Sequence, residues 1–207
     1  MALPSPPPAQ FNFAQFLIAA NNSRKDKTAL IDDVSSLTYG EMGDQIRACA
    51  AGLRKLGLKR EERVLLLMQD STDWIVSFLG ALYAGVVPVA VNTLLTPDDY
   101  AFMINNSRAQ AALVSSALLG NLNAAIAQGT KSIKHVVVSR HEGELPAPNM
   151  HFKDLLASAS GPSLPAETHA DEPAFWLFSS GSTGNPKGTV HTQGNLYWTT
   201  QLYGKGV

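Results

Sequence analysis

An α/β fold, built as a mainly parallel sheet flanked by helices, is predicted from two observations. Short apolar runs bounded by charge recur along the chain, and helix-start signals stand between them. The clearest run is Val64, Leu65, Leu66, Leu67 and Met68, which is continuously apolar, as a central strand covered on both faces must be. The clearest start signal is Thr38, Tyr39, Gly40 and Glu41, a capping box in which Thr38 accepts from the Glu41 amide while Glu41 reaches back.

The elements follow in order. Phe13, Phe16, Leu17 and Ala20 recur at helical spacing behind a Pro-rich leader over residues 1–10. Residues 28–31 read as a short strand closed by Asp32 and Asp33. The helix opened by Thr38 carries Met42, Ile46, Cys49, Leu53 and Leu56 as one apolar stripe, and Gly57 supplies its left-handed stop. Asp70 or Ser71 caps the next helix, which runs through Trp74, Phe78 and Leu82 to Gly85. A second apolar strand, residues 86–91, follows at once. Thr96, Pro97, Asp98 and Asp99 set another start, with proline at the first helical position and carboxylates at the positive end of the dipole. A strand near 111–114, a helix near 117–128 and a strand at 135–138 continue the alternation. Residues 139–173 turn to Gly, Pro, Ser and charge and read as a surface connection with one short helix near 152–156. Residues 174–178 form an apolar, aromatic strand.

Composition sets limits. With 207 residues, 45% of them apolar, the chain can bury a sizeable core. Sixteen basic against seventeen acidic residues leave no global field to recruit nucleic acid or an anionic membrane. Cys49, the single cysteine, can form neither an internal disulfide nor a thiolate metal site, which fits a reducing compartment, so the cytoplasm is expected. Residues 11–18 lack the basic flank and long apolar run of a signal peptide, and no run reaches the ~18 apolar residues of a membrane span. Five scattered histidines show no metal-ligand spacing, so no metal ligand is assigned. Oligomeric state has no signature here.

The aromatic strand delivers Ser179, Ser180, Gly181, Ser182, Thr183, Gly184, Asn185, Pro186, Lys187 and Gly188. Glycines let backbone amides approach an anion, the hydroxyls of Ser180, Ser182 and Thr183 donate further hydrogen bonds, and Lys187 adds a mobile positive charge. In physical terms this is a phosphate cradle. A solvated Ser/Gly turn with one exposed lysine is the ordinary alternative, but the order of residues is more constrained than a turn requires. The P-loop NTPase signature is broken, because Gly184 and Lys187 are not adjacent and Gly188, instead of Ser or Thr, follows the lysine.

This loop resembles the signature of the adenylate-forming superfamily of acyl- and aryl-CoA ligases, peptide-synthetase adenylation domains and luciferases. The resemblance extends over residues 37–41, 57–64, 78–89 and 92–97, and residues 179–187 together with 191–192 and 195–198 are most similar to benzoate-CoA ligases and related aromatic-acid ligases. It implies ATP-dependent activation of a carboxylic acid to an acyl-adenylate with release of pyrophosphate, then transfer to coenzyme A with release of AMP. Magnesium accompanies ATP. It also implies that Lys187 acts catalytically and that Ser179, Ser180, Gly181, Ser182, Thr183, Gly184 and Lys187 hold the phosphates, with Ser179 ending the strand. The acyl pocket, the adenine and ribose contacts, the acid that holds magnesium, the hinge and the lysine of a small C-terminal domain lie after this loop in the superfamily. Residues 11–207 are therefore expected to be an incomplete N-terminal domain, inactive alone. A fatty-acid ligase, an amino-acid adenylation domain and a non-catalytic phosphate-binding piece stay open beside an aromatic-acid ligase.

Other residues invite chemistry less. Cys49 on its stripe reads as a packed small hydrophobe, with no neighbour in sequence to activate it. His191 could touch a phosphate, but a histidine just past Val190 is more often structural. Tyr197, Trp198 and Tyr203 suit an aromatic pocket or core packing equally. Asp98 and Asp99 read as helix-end charges.

Overall fold

A computed structural model describes residues 4–159, 161, 163–179 and 186–204. In chain order the elements are α1 (Phe13–Ala20), β1 (Thr28–Ile31), β2 (Ser36–Thr38), α2 (Tyr39–Lys55), β3 (Arg63–Leu67), α3 (Thr72–Ala84), β4 (Val87–Ala90), α4 (Pro97–Ser107), β5 (Ala111–Ser115), α5 (Leu119–Ala127), β6 (His135–Ser139), β7 (Met150–His151), α6 (Phe152–Ala157), β8 (Pro173–Ser179), β9 (Lys187–Thr192) and α7 (Gln193–Leu202). Seven strands form one sheet in the order β7-β6-β5-β3-β4-β8-β9, and β1 pairs with β2 in a separate antiparallel ribbon. Every pair in the large sheet is parallel except β8 with β9.

The apolar strands are buried on both faces because helices cover each side. Val64 and Leu66 of β3, Leu113 of β5 and Val137 of β6 join one core with the stripe of α2 and the inner faces of α1, α3 and α6. Leu65 and Leu67, Val114 and Val138 join a second core under α4 and α5. The alternation is the pleat itself, since successive side chains point to opposite faces. Each fully buried aliphatic side chain contributes roughly 1.5–3 kcal/mol relative to exposure.

Local signals place the helices. Glu41 N donates to Thr38 Oγ1 at 3.2 Å while Thr38 N donates to Glu41 Oε2 at 2.8 Å. The same reciprocal box opens α4 between Thr96 and Asp99, so Asp98 and Asp99 stand at a helix end as expected. Ser71, not Asp70, caps α3, accepting from Trp74 N at 3.2 Å. Gly85 ends that helix at φ 76°, where a side chain would be strained. Cys49 is fully buried, and burial pushes its thiol up to about 12, so it packs as a small hydrophobe.

Three strands lie outside the sequence expectation, the first being β2, which pairs back onto β1. The 139–173 connection contains β7, two residues that pair with β6, and Thr168 within it is buried and donates its hydroxyl to Phe11 O at 2.7 Å. Residues 187–192 form β9, so Lys187 and Gly188 belong to a strand and not to the preceding loop. None of the described helices is long and apolar enough to cross a membrane.

Candidate functional site

The loop begins where β8 ends. Parallel pairing of Val89 with Trp176 and Ala90 with Leu177 aligns β8 with β4, so Ser179 emerges at the carboxyl end of the parallel sheet. Ligands of open α/β sheets bind at that end. Antiparallel pairing then brings the chain back with Lys187 opposite Ser179, Thr189 opposite Leu177 and His191 opposite Phe175. Ser179 and Lys187 are therefore the two stems of the loop, and both are exposed. Among the described residues, no carboxylate forms an ion pair with Lys187. Ser180, Gly181, Ser182, Thr183 and Gly184, also expected to hold phosphate, lie outside the described residues.

Gly188 has a packing reason to be glycine. A Cβ there would stand 3.3 Å from Trp176 Cε3 and 3.5 Å from Phe178 Cε1, so the bare backbone lets β9 close over two aromatic rings. Beside the stems a cleft of about 380 Å³ is lined by Asp70, Trp74, Asn92, Thr93, Leu177 and Phe178. Trp74 and Asp70 carry no sequence signal for this role; they arrive because α3 starts at the carboxyl end of β3. Tyr197 packs edge-on against Phe11 and Phe16 at 5.6 Å and donates its hydroxyl to Ser5 O at 2.8 Å, while Tyr203 is exposed. Neither stands in the cleft.

A second cleft of about 570 Å³ opens over the carboxyl ends of β3, β5 and β6, with Ser71, Ser115, Ser116 and Arg140 on its walls. One wall is held by a charged latch. Asp32 accepts from Arg140 Nη2 at 2.5 Å and from Thr72 N at 2.8 Å, and from the amides of Val34 and Ser35 at 2.9 and 2.8 Å. Arg140 also lies 3.7 Å from Asp73, which accepts from Ser139 Oγ at 2.5 Å. The Arg140 guanidinium, with those three amides, holds the Asp32 carboxyl well below the usual carboxylate range. A depressed folded-state value means stability that is present above the unfolded value of about 3.9 and is lost as pH falls below it. Asp32→Asn is expected to lower the melting temperature at pH 7, and the gap from the parent is expected to narrow from pH 4 downwards. A gap constant from pH 7 to pH 2.5 would show that the latch carries no charge-linked stability.

Comparison with known proteins agrees with this architecture. A benzoate–CoA ligase of Thauera aromatica is 41% identical over 203 residues, covering 97% of this chain and 37% of the relative. A 4-hydroxybenzoate–CoA/benzoate–CoA ligase of Rhodopseudomonas palustris is 38% identical over 168 residues, covering 81% of this chain and 30% of the relative. Among solved structures, a benzoate CoA ligase from Burkholderia xenovorans LB400 superposes with a TM-score of 0.84 at 45% identity, covering 95% of this chain and 37% of that one. The anthranilate CoA ligase AuaEII, solved with anthranoyl-AMP, gives a TM-score of 0.90 at 29% identity, covering 97% of this chain and 38% of that one. The chain thus covers between 30% and 38% of the length of these proteins. The family model described as AMP-binding enzyme matches residues 17–206, which hold every strand of both sheets and both stems of the loop, and the chain belongs to that family.

Proposed function

We propose that this chain supplies the phosphate-gripping part of an aromatic-acid CoA ligase. In this reading the carboxylate of benzoate or a related acid attacks the α-phosphorus of ATP, pyrophosphate leaves, and the thiol of coenzyme A then displaces AMP from the acyl-adenylate. The observation that supports it most is the placement of Ser179 and Lys187 as opposed stems at the carboxyl end of the sheet, with the Gly/Ser/Thr run between them. Aromatic specificity is supported by the names of the relatives, a benzoate–CoA ligase and a 4-hydroxybenzoate–CoA/benzoate–CoA ligase.

The β- and γ-phosphates gather charge as they become the leaving group, and stabilising them is a matter of positioned donors and cations more than covalent chemistry. Lys187 is the cation assigned to that charge. Ser180, Ser182 and Thr183 donate hydroxyls, Gly181 and Gly184 let the backbone approach, and Ser179 sets the direction in which the loop leaves the strand. Magnesium enters as the companion of ATP. Among the described residues no three His, Cys, Asp or Glu side chains converge to hold a metal, so no magnesium ligand is assigned and no step is derived through the ion.

We take residues 11–207 as the front of the adenylating domain in a polypeptide of the relatives' length, working in the cytoplasm. The direct test is mass-spectrometric detection of acyl-adenylate from ATP, magnesium and acid. A polypeptide of that length should form benzoyl-adenylate, and residues 1–207 alone should form none. Hexanoyl-adenylate without benzoyl-adenylate would move the substrate to fatty acids. No adenylate from either acid would overturn the aromatic-acid assignment.

A further inference from the structure

Four rings form a continuous column across α3, β8 and β9. Trp74 and Phe78 of α3 stack at 5.2 Å with planes 7° apart. Phe175 of β8 meets Phe78 edge-on at 5.3 Å and 66°. His191 of β9 lies flat on Phe175, with ring centroids 4.5 Å apart and planes within 5°. Phe175 is buried in the core beneath α3, so the imidazole rests on a packed partner.

The column meets β9 between its exposed stem at Lys187 and its anchored far end, where Gln193, just past the strand, is buried and accepts from Phe13 N at 2.9 Å. Among the described residues β9 pairs with β8 alone, and its residues from Lys187 to Val190 are exposed. Side chains two apart share a face, so Lys187, Thr189 and His191 stand together, opposite Ser179, Leu177 and Phe175. A slip of one residue would carry Lys187 to the other face of the sheet, away from Ser179. Backbone hydrogen bonds alone do not forbid such a slip, because any register of an edge strand can form them. Within the strand the side-chain features that do are the His191 stack on one face and the bare Gly188 beneath Trp176 and Phe178 on the other, and the buried Gln193 holds the end farthest from Lys187.

We propose that His191 is a positioning residue for Lys187. Its flat contact with Phe175 carries the register of β9 from the Gln193 anchor towards the loop and so keeps the Lys187 ammonium on the face and at the height of Ser179. The imidazole itself touches no phosphate. This role rests on the assignment of Lys187 to the phosphates of ATP, and it predicts that a flat ring at position 191 is required, whereas a titratable one is not.

The test compares binding of inorganic tripolyphosphate by calorimetry at pH 7.5, alongside the melting temperature, for the 207-residue chain and its variants. His191→Phe keeps the stack and should bind within about twofold of the parent. His191→Leu keeps the bulk but loses the stacked plane, and should weaken binding about tenfold or more, towards the level of Lys187→Ala. Phe175→Leu removes the same stack from the other strand and should give the same loss, so the outcome does not depend on one variant folding. A leucine variant that melts earlier yet binds like the parent would show a purely structural role and overturn the proposal. Failure of the parent itself to bind tripolyphosphate would instead overturn the assignment of Lys187, and the positioning role with it. The two failures are distinguished by the parent's own titration.

Discussion

Lys187→Ala is expected to lower the rate of acyl-adenylate formation by roughly 10²- to 10³-fold, the loss typical of removing one preorganised group from a charge-developing transition state. The expectation rests on position and isolation. Lys187 stands at the returning stem of the loop, opposite Ser179, and no acidic side chain among the described residues pairs with it. Its charge is therefore available to a ligand and is not spent on a structural ion pair. Because it sits on an exposed part of β9, its removal should leave the melting temperature within a degree or two of the parent. Lys187→Arg should recover only part of the rate, since a planar guanidinium does not reproduce a compact ammonium at the same point. A loss of less than threefold in the alanine variant, measured in a polypeptide of the relatives' length, would remove Lys187 from the catalytic assignment.

A large effect on stability is expected at Gly80. A Cβ built there would lie 2.6 Å from Cys49 Cβ and 2.7 Å from Cys49 Sγ, with Ile46 O at 3.3 Å. Those atoms belong to α2, which packs its apolar stripe directly against α3, so relief requires the two helices to separate. Overpacking of this kind costs about 3 kcal/mol. Gly80→Val should therefore lower the melting temperature by about 6–12 °C in a chain of this length. Pairing Gly80→Ala with Cys49→Gly should restore part of what Gly80→Ala loses on its own, because the clash is pairwise. A shift of less than 1 °C in Gly80→Val would mean that α2 and α3 do not approach as closely as described.

Much of this architecture is legible without coordinates because its signals are local. Thr38 with Glu41, and Thr96 with Asp99, are complete capping boxes within four residues, and Gly57 and Gly85 mark stops that their φ values of 89° and 76° then require. The buried strands read through because a strand covered on both faces has no polar interruptions. β9 escapes for the opposite reason. It is exposed along most of its length, so Lys187, Gly188, Thr189 and Val190 show neither an apolar run nor alternation, and its pairing with β8 spans a loop. Two-residue β7 is too short to carry a pattern at all.

The candidate site divides in the same way. The loop is readable as a string because glycine, hydroxyl and lysine content reports backbone approach and charge directly. The neighbours that complete its setting are not. Trp74, Asn92 and Leu177 meet at one cleft only through strand order, and Asp32, Asp73 and Arg140 form a latch across segments whose sequences give no hint of each other. The His191 stack was invisible for a related reason, since it depends on the register of a strand that the sequence does not announce.

The most direct measurement is acid-dependent exchange of labelled pyrophosphate into ATP by a polypeptide of the relatives' length, run with benzoate, with a medium-chain fatty acid and with no acid. Activation of an aromatic acid through an adenylate predicts exchange with benzoate and none in the other two conditions. Exchange with the fatty acid alone would contradict the aromatic assignment while keeping adenylation, and no exchange with either acid would contradict the proposed reaction for both.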